Sequence, residues 1–162
     1  MVIKKTVEKI INKQINAEEF SARLYLSMSS WCEVNGYAGF AAYFQKQYRE
    51  EIEHMMRFFK YLNNRGGHAL IDAVEKPQQE FKDINEVVEM TYEHELKVTE
   101  MIHEIYEVAK KEKDYATENM IQWYIAEQVE EEETFSGLLS MMKLAGKANM
   151  YEIDKYMGKR AQ

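Results

Sequence analysis

The chain contains one proline, Pro77, in 162 residues. Proline breaks helices because it lacks a backbone N–H and its ring collides with the preceding turn. A chain free of it elsewhere can form very long helices. The other turn signals fall at Asn35-Gly36 and Gly39, at 63–67 and at 146–149, with a weaker break at Lys113-Asp114, where Asp114 can cap a following helix. These breaks predict helices over about 6–34, 38–65, 83–111 and 114–145, then a short one near 149–157. Together they make one all-α domain over 1–162.

Apolar spacing supports four long amphipathic helices. The second carries Phe44, Tyr48, Glu51, Met55, Phe58 and Leu62 on one stripe. The third carries Ile84, Val88, Thr91, Glu95, Val98, Ile102, Ile105 and Ala109. The fourth gives Met120, Tyr124, Glu127, Glu131, Thr134, Leu138 and Met141. The first is less clean, with Gln14, Glu18, Ser21, Tyr25, Met28 and Cys32 flanked by Ile10, Ala17, Leu24 and Trp31.

The joins decide the topology. Helices one and two have a short join, as do three and four, so each pair is antiparallel. Residues 66–82 separate the pairs. Such a segment reaches roughly 56 Å when extended, and a 28-residue helix is about 42 Å long. The segment can therefore run the length of the bundle. The expected result is a single crossover with helices two and three parallel, rather than an up-down bundle with a slack loop.

Every stripe is interrupted by an acid: Glu18, Glu51, Glu95, and Glu127 with Glu131. A buried carboxylate is unfavourable unless paired or bound to metal. One could reflect a mis-phased helix; four helices with the same interruption form a pattern. Each acid lies near the midpoint of its helix, and midpoints meet at one level whichever way each helix runs. His54 follows Glu51 by three residues and shares its face. Carboxylates with one imidazole suit iron or manganese. Glu18, Glu51, Glu95 and Glu131 carry four negative charges, which two divalent cations balance. The run Glu130–Glu133 covers most of a turn, so one member must point inward, and the stripe selects Glu131. Tyr25, Tyr48 and Tyr124 read first as core aromatics. His68, His94 and His103 lack a supporting constellation and read as surface residues.

Composition excludes other classes. A formal net charge of −7 with no Lys/Arg block disfavours nucleic acid. One cysteine, Cys32, leaves no intrachain disulfide framework and no cysteine-rich metal site. No stretch reaches the roughly 20 apolar residues of a membrane helix. The N-terminus, with Lys4, Lys5, Glu8 and Lys9, does not read as a signal peptide. A cytoplasmic location is expected.

Jointly, Asn16-Ala17-Glu18 with Tyr25-Leu26-Ser27-Met28, Glu50-Glu51-Ile52-Glu53-His54, Tyr92-Glu93-His94-Glu95, and Gln122–Glu132 resemble the non-haem bacterial and archaeal ferritins over nearly the whole chain. The resemblance implies a ferritin-like four-helix bundle with a short C-terminal fifth helix. It implies one iron site from Glu18, Glu51 and His54, and a second from Glu51, Glu95 and Glu131 with Gln128 close by, Glu51 bridging. A third iron site is implied at Glu50, Glu127 and Glu130. Tyr25 and Trp123 match aromatics beside the centre, which places Tyr25 among the catalytic residues. The implied activity is ferroxidase: Fe(II) is oxidised with dioxygen or peroxide, and ferric oxyhydroxide is stored in a cage of twenty-four subunits. Glu118 falls where a three-fold pore acid is expected, and Ile121 where animal ferritins carry a second acid. Ile52 replaces the haem-binding Met of bacterioferritin, so no haem is expected. From the residues alone, a manganese- or zinc-loaded bundle without turnover and a bundle with mis-phased acids stay open.

Overall fold

The computed structural model describes residues 2–162. Among them lie α1 (Lys5–Val34), α2 (Ala38–Asn64), α3 (Ile84–Lys111), α4 (Tyr115–Ala145) and α5 (Met150–Arg160), with a 3-10 turn at Lys147–Asn149 and no strand. The breaks act as their chemistry requires. Asp83 and Asp114 cap α3 and α4, accepting the N–H of Glu86 at 3.0 Å and of Thr117 at 3.2 Å. Gly36, at φ 83°, makes the α1–α2 turn. The α3–α4 turn places Lys113 in the left-handed region at φ 55°, and the Asp114 N–H returns to the Ala109 carbonyl at 2.9 Å. That is the reversal glycine normally supplies at a helix end. The fifth helix runs three residues beyond the expected 157.

The crossover follows α1. Asn12 Nδ2 donates to the His68 carbonyl (2.9 Å), Asn16 Oδ1 accepts the Asp72 N–H (2.8 Å), and Ser27 Oγ donates to the Gln78 carbonyl (2.6 Å). Trp31 meets Phe81 edge-on at 5.8 Å. Numbering rises on both sides, so the segment climbs beside α1 to the end where α2 began. Helices α2 and α3 are therefore parallel, as the segment's reach predicted. Among the described residues, no helix is long and apolar enough to cross a membrane.

The core has two apolar ends. One cluster contains Tyr25, Met28, Cys32, Phe40, Phe44, Val88, Phe135, Leu138 and Met157. The other contains Val7, Ile11, Ile15, Phe58, Leu62, Ile102, Ile105, Ile121 and Tyr124. Ile121 is fully buried there, so it faces core and not a pore. The α1 and α3 stripes are buried as expected. The α4 stripe is rotated: its buried residues are Thr117, Ile121, Tyr124, Gln128, Phe135, Leu138 and Met142. At about 100° per residue, Gln128 and Glu131 flank the Tyr124 direction while Glu127 turns aside.

Helix α5 docks on the start of α2. The Asp154 carboxylate accepts the Gly39 and Phe40 N–H groups at 3.0 and 2.9 Å, capping α2 from another helix. A Cβ on Gly39 would lie 1.8 Å from the Asp154 carbonyl oxygen, so only glycine permits this approach. Phe40 and Tyr43 are buried within the chain, and Tyr37 and Phe59 are half-buried.

Candidate metal centre

Between the apolar ends lies a polar layer. Helix α1 contributes Glu18 and Ser21, α2 Gln47, Glu51 and His54, α3 Thr91 and Glu95, and α4 Gln128, all buried. Each comes from the middle of its helix, and their convergence follows from the packing of four helices of similar length.

One ligand atom each from Glu18, Glu51 and His54 lies within 4.8 Å of the others. His54 Nδ1 is 3.3 Å from Glu51 Oε2, the outcome of their three-residue spacing. Glu95 closes the opposite side, accepting from the Tyr25 hydroxyl and from Gln128 Nε2 at 3.0 Å. Glu131, half-buried, accepts from Gln47 Nε2 at 3.2 Å. Tyr124 holds the helix below, donating to the His54 carbonyl at 2.8 Å.

The electrostatics are those of crowded, desolvated acids. Burial, then repulsion from Glu51, pushes the Glu18 carboxyl well above its usual range. Burial, then Glu95, does the same to Glu51, and burial raises Glu95 despite the hydrogen bonds it accepts. Burial with Glu95 and Glu50 lifts Glu131 to about 8. Burial and Glu95 raise the Tyr25 phenol. Glu18 Oε2 is buried without a hydrogen-bond partner, although Gln14 Nε2 holds its other oxygen at 2.9 Å. A lone carboxylate oxygen among mutually repelling acids fits a cation. The donor set, carboxylates plus imidazole, fits iron, manganese or zinc.

Glu50, Glu127 and Glu130 stand outside this layer. They line a cleft of about 250 Å³ whose wall also includes Gln47, His54, Trp123 and Glu131. Glu127, read from the sequence as an inward acid, is at this mouth instead, because α4 turns Gln128 into the core. His54 and Glu131 therefore belong to both the layer and the cleft.

Three residues escaped the sequence reading. Gln14 lay on the first stripe but was not a site candidate. Gln47 precedes Glu51 by one helical turn, and that spacing is its only sequence signal. His94 is not a surface residue: its Nε2 sits 2.8 Å from Ser21 Oγ, its ring packs on Phe20 and Tyr25, and burial lowers its pKa to about 4. His68 and His103 are exposed, as read.

Comparison with known proteins agrees with this architecture. The Ferritin-like domain family matches residues 8–145. A probable bacterial non-heme ferritin-like protein of Haemophilus influenzae is 41% identical over 159 residues, spanning 97% of this chain and 96% of that protein. A bacterial non-heme ferritin of Campylobacter jejuni is 40% identical over 158 residues, 96% of this chain and 95% of its own. The crystal structure described as a novel open pore ferritin from Archaeoglobus fulgidus superposes with a TM-score of 0.95 at 40% identity, covering 98% of both chains. By sequence and by fold, this chain belongs to the ferritin family, with its non-haem bacterial and archaeal members.

Proposed function

We propose that this protein is a ferroxidase and iron store: it oxidises Fe(II) at the polar layer and keeps the ferric product inside an oligomeric cage. One observation carries the reading: Glu18, Glu51 and His54 bring one ligand atom each within 4.8 Å of the others, and Glu18 Oε2 there is buried without a hydrogen-bond partner. Fe(II) is the substrate. Glu18, Glu51 and His54 hold one ion; Glu51, Glu95 and Glu131, with Gln128 beside them, hold the second, and Glu51 bridges. The ions supply the electrons. Two Fe(II) give one electron each to dioxygen, which takes two protons and leaves as hydrogen peroxide; peroxide can serve as oxidant in the same way.

The chain's own residues bind, orient and exclude water. Gln14 and Gln128 orient Glu18 and Glu95 through their amides. The Tyr25 hydroxyl donates to Glu95 from the apolar side, which fixes that carboxylate and leaves the phenol protonated. Phe44 and Tyr124 close the layer above and below. Glu50, Glu127 and Glu130 form a weaker third site in the cleft. The names of the relatives support iron storage. Residues 1–162 act as one ferritin-like domain in a 24-mer in the cytoplasm, with no haem and no nucleic acid.

Titration with Fe(II) without oxygen, or with Zn(II) as a redox-inert substitute, should show about two tight sites per chain, plus a weaker event. Aerobic Fe(II) should then give ferric absorbance with oxygen uptake. A stoichiometry near zero or one, or two sites without oxidation, overturns the reading. Sedimentation as one species far heavier than a single chain tests the cage.

A further inference from the structure

The buried amide of Gln47 belongs to none of the three proposed ligand sets, yet it touches an acid of the second and an acid of the third. Gln47 is 1% exposed and lies on α2 one turn before Glu51. Its Nε2 donates to Glu50 Oε2 at 2.9 Å, on its own helix, and across the bundle to Glu131 Oε1 at 3.2 Å, on α4. Its Oε1 is buried with no partner. A buried orphan acceptor is unfavourable, and burial alone would not select that orientation. The two acids select it, because turning the amide would aim its carbonyl at two carboxylates. The amide group is therefore set by charge and not by packing.

We propose that Gln47 is a positioning residue that ties Glu131 to Glu50 and so sets the path of metal between the buried layer and the cleft. This rests on the ferroxidase reading and deepens it. Glu131 is the acid shared by layer and cleft. With Oε1 held by Gln47, its Oε2 stays free for the inner ions. Glu50 is held at the same amide with its other oxygen near Lys46, 3.8 Å away. An ion leaving the layer thus meets Glu50 at a fixed distance from Glu131. Without the amide nothing joins the two acids through a shared donor, and the step from layer to cleft loses its second ligand.

Gln47→Met keeps length and volume but removes the donor and the orphan oxygen. In the assembled protein, Zn(II) titration should keep the first tight site, Glu18 with Glu51 and His54, at an affinity within about threefold, while the second tight event, through Glu131, and the weaker third event, through Glu50, each lose about tenfold or more, the usual effect of losing a hydrogen bond to a metal ligand. Aerobically, the first burst of Fe(II) oxidation and the later turnover should both slow about tenfold. Melting in chelator should be unchanged or higher. A purely structural Gln47 would instead lower the melting point and weaken all three zinc events alike, and that outcome overturns the proposal. So does a variant with the parent's third event and turnover, or a parent with no third event. If the parent binds metal without oxidising iron, the ferroxidase reading fails, and the third zinc event still decides for or against Gln47.

Discussion

The waist of this bundle and its two ends are built on opposite rules. The ends are dry and apolar: Phe58 stacks on Tyr124 with ring centroids 4.0 Å apart, and Ile11, Ile15, Ile102 and Ile105 pack around them. The waist places four acids and a histidine at the same depth, with Gln14, Gln47 and Gln128 as amide donors. The ends gain stability from each side chain removed from water. The waist loses stability in the metal-free state, because burial and mutual repulsion hold its carboxyls away from their preferred charge. Stability at the ends offsets a centre arranged for cations.

The largest expected effect lies at the ends. Phe58→Ala removes a fully buried ring and the support under Tyr124. It should cost about 3–5 kcal/mol. Below its melting temperature the variant should still bind zinc at the parent stoichiometry. Denaturant unfolding with zinc titration checks both; a joint loss of stability and stoichiometry would mean that ends and waist are not separable.

The waist should respond with the opposite sign. Glu51→Gln keeps the shape of the central acid and removes an acid that burial holds away from its ionised form. In chelator the variant should gain about 1 kcal/mol, while Fe(II) oxidation falls at least about 100-fold because an amide is a poor bridge between two cations. Matched thermal melts and oxygen uptake measure the two arms. A variant that melts lower and oxidises iron at the parent rate would remove Glu51 from the centre.

The smallest effect is in the pH dependence of the chelated protein. Glu18, Glu51 and Glu95 are raised from 4.5, and Glu131 from 4.5 to about 8. Folded, they retain protons that the unfolded chain releases above about 4.5. Their contribution to stability is therefore fully present below that pH and is lost as pH rises through their raised folded values, which for Glu131 is about 8. Chelated protein should melt higher at pH 5 than at pH 8. With zinc bound the trend should reverse, since metal competes with the same protons. Equal slopes with and without zinc would place the raised acids away from the metal.

The residues by themselves determined a good deal. A single proline, the turn residues between helices and apolar stripes, cleanest on α2 and α3, pointed to four long helices, and the reach of 66–82 pointed to the crossover. On α3 the sequence marks one narrow stripe, and Glu95 has no other direction to face. Helix α4 was not decided in this way. It carries Ile121, Trp123, Tyr124 and Ile125 around much of its surface, so its sequence allows several rotations. Packing against α3, with Gln128 bonded to Glu95 and Thr99, selected one and moved Glu127 out to the cleft. The crossover segment and α1 enclose His94 and leave it bonded to Ser21. Gln47 shows the same limit: its identity is ordinary for a helix, and only the approach of Glu131 from another helix gives its amide a second partner. Periodicity fixes which face of a helix is apolar. The rotation of an evenly apolar helix, and the meeting of polar atoms far apart in sequence, depend on contacts that exist only after the four helices have packed.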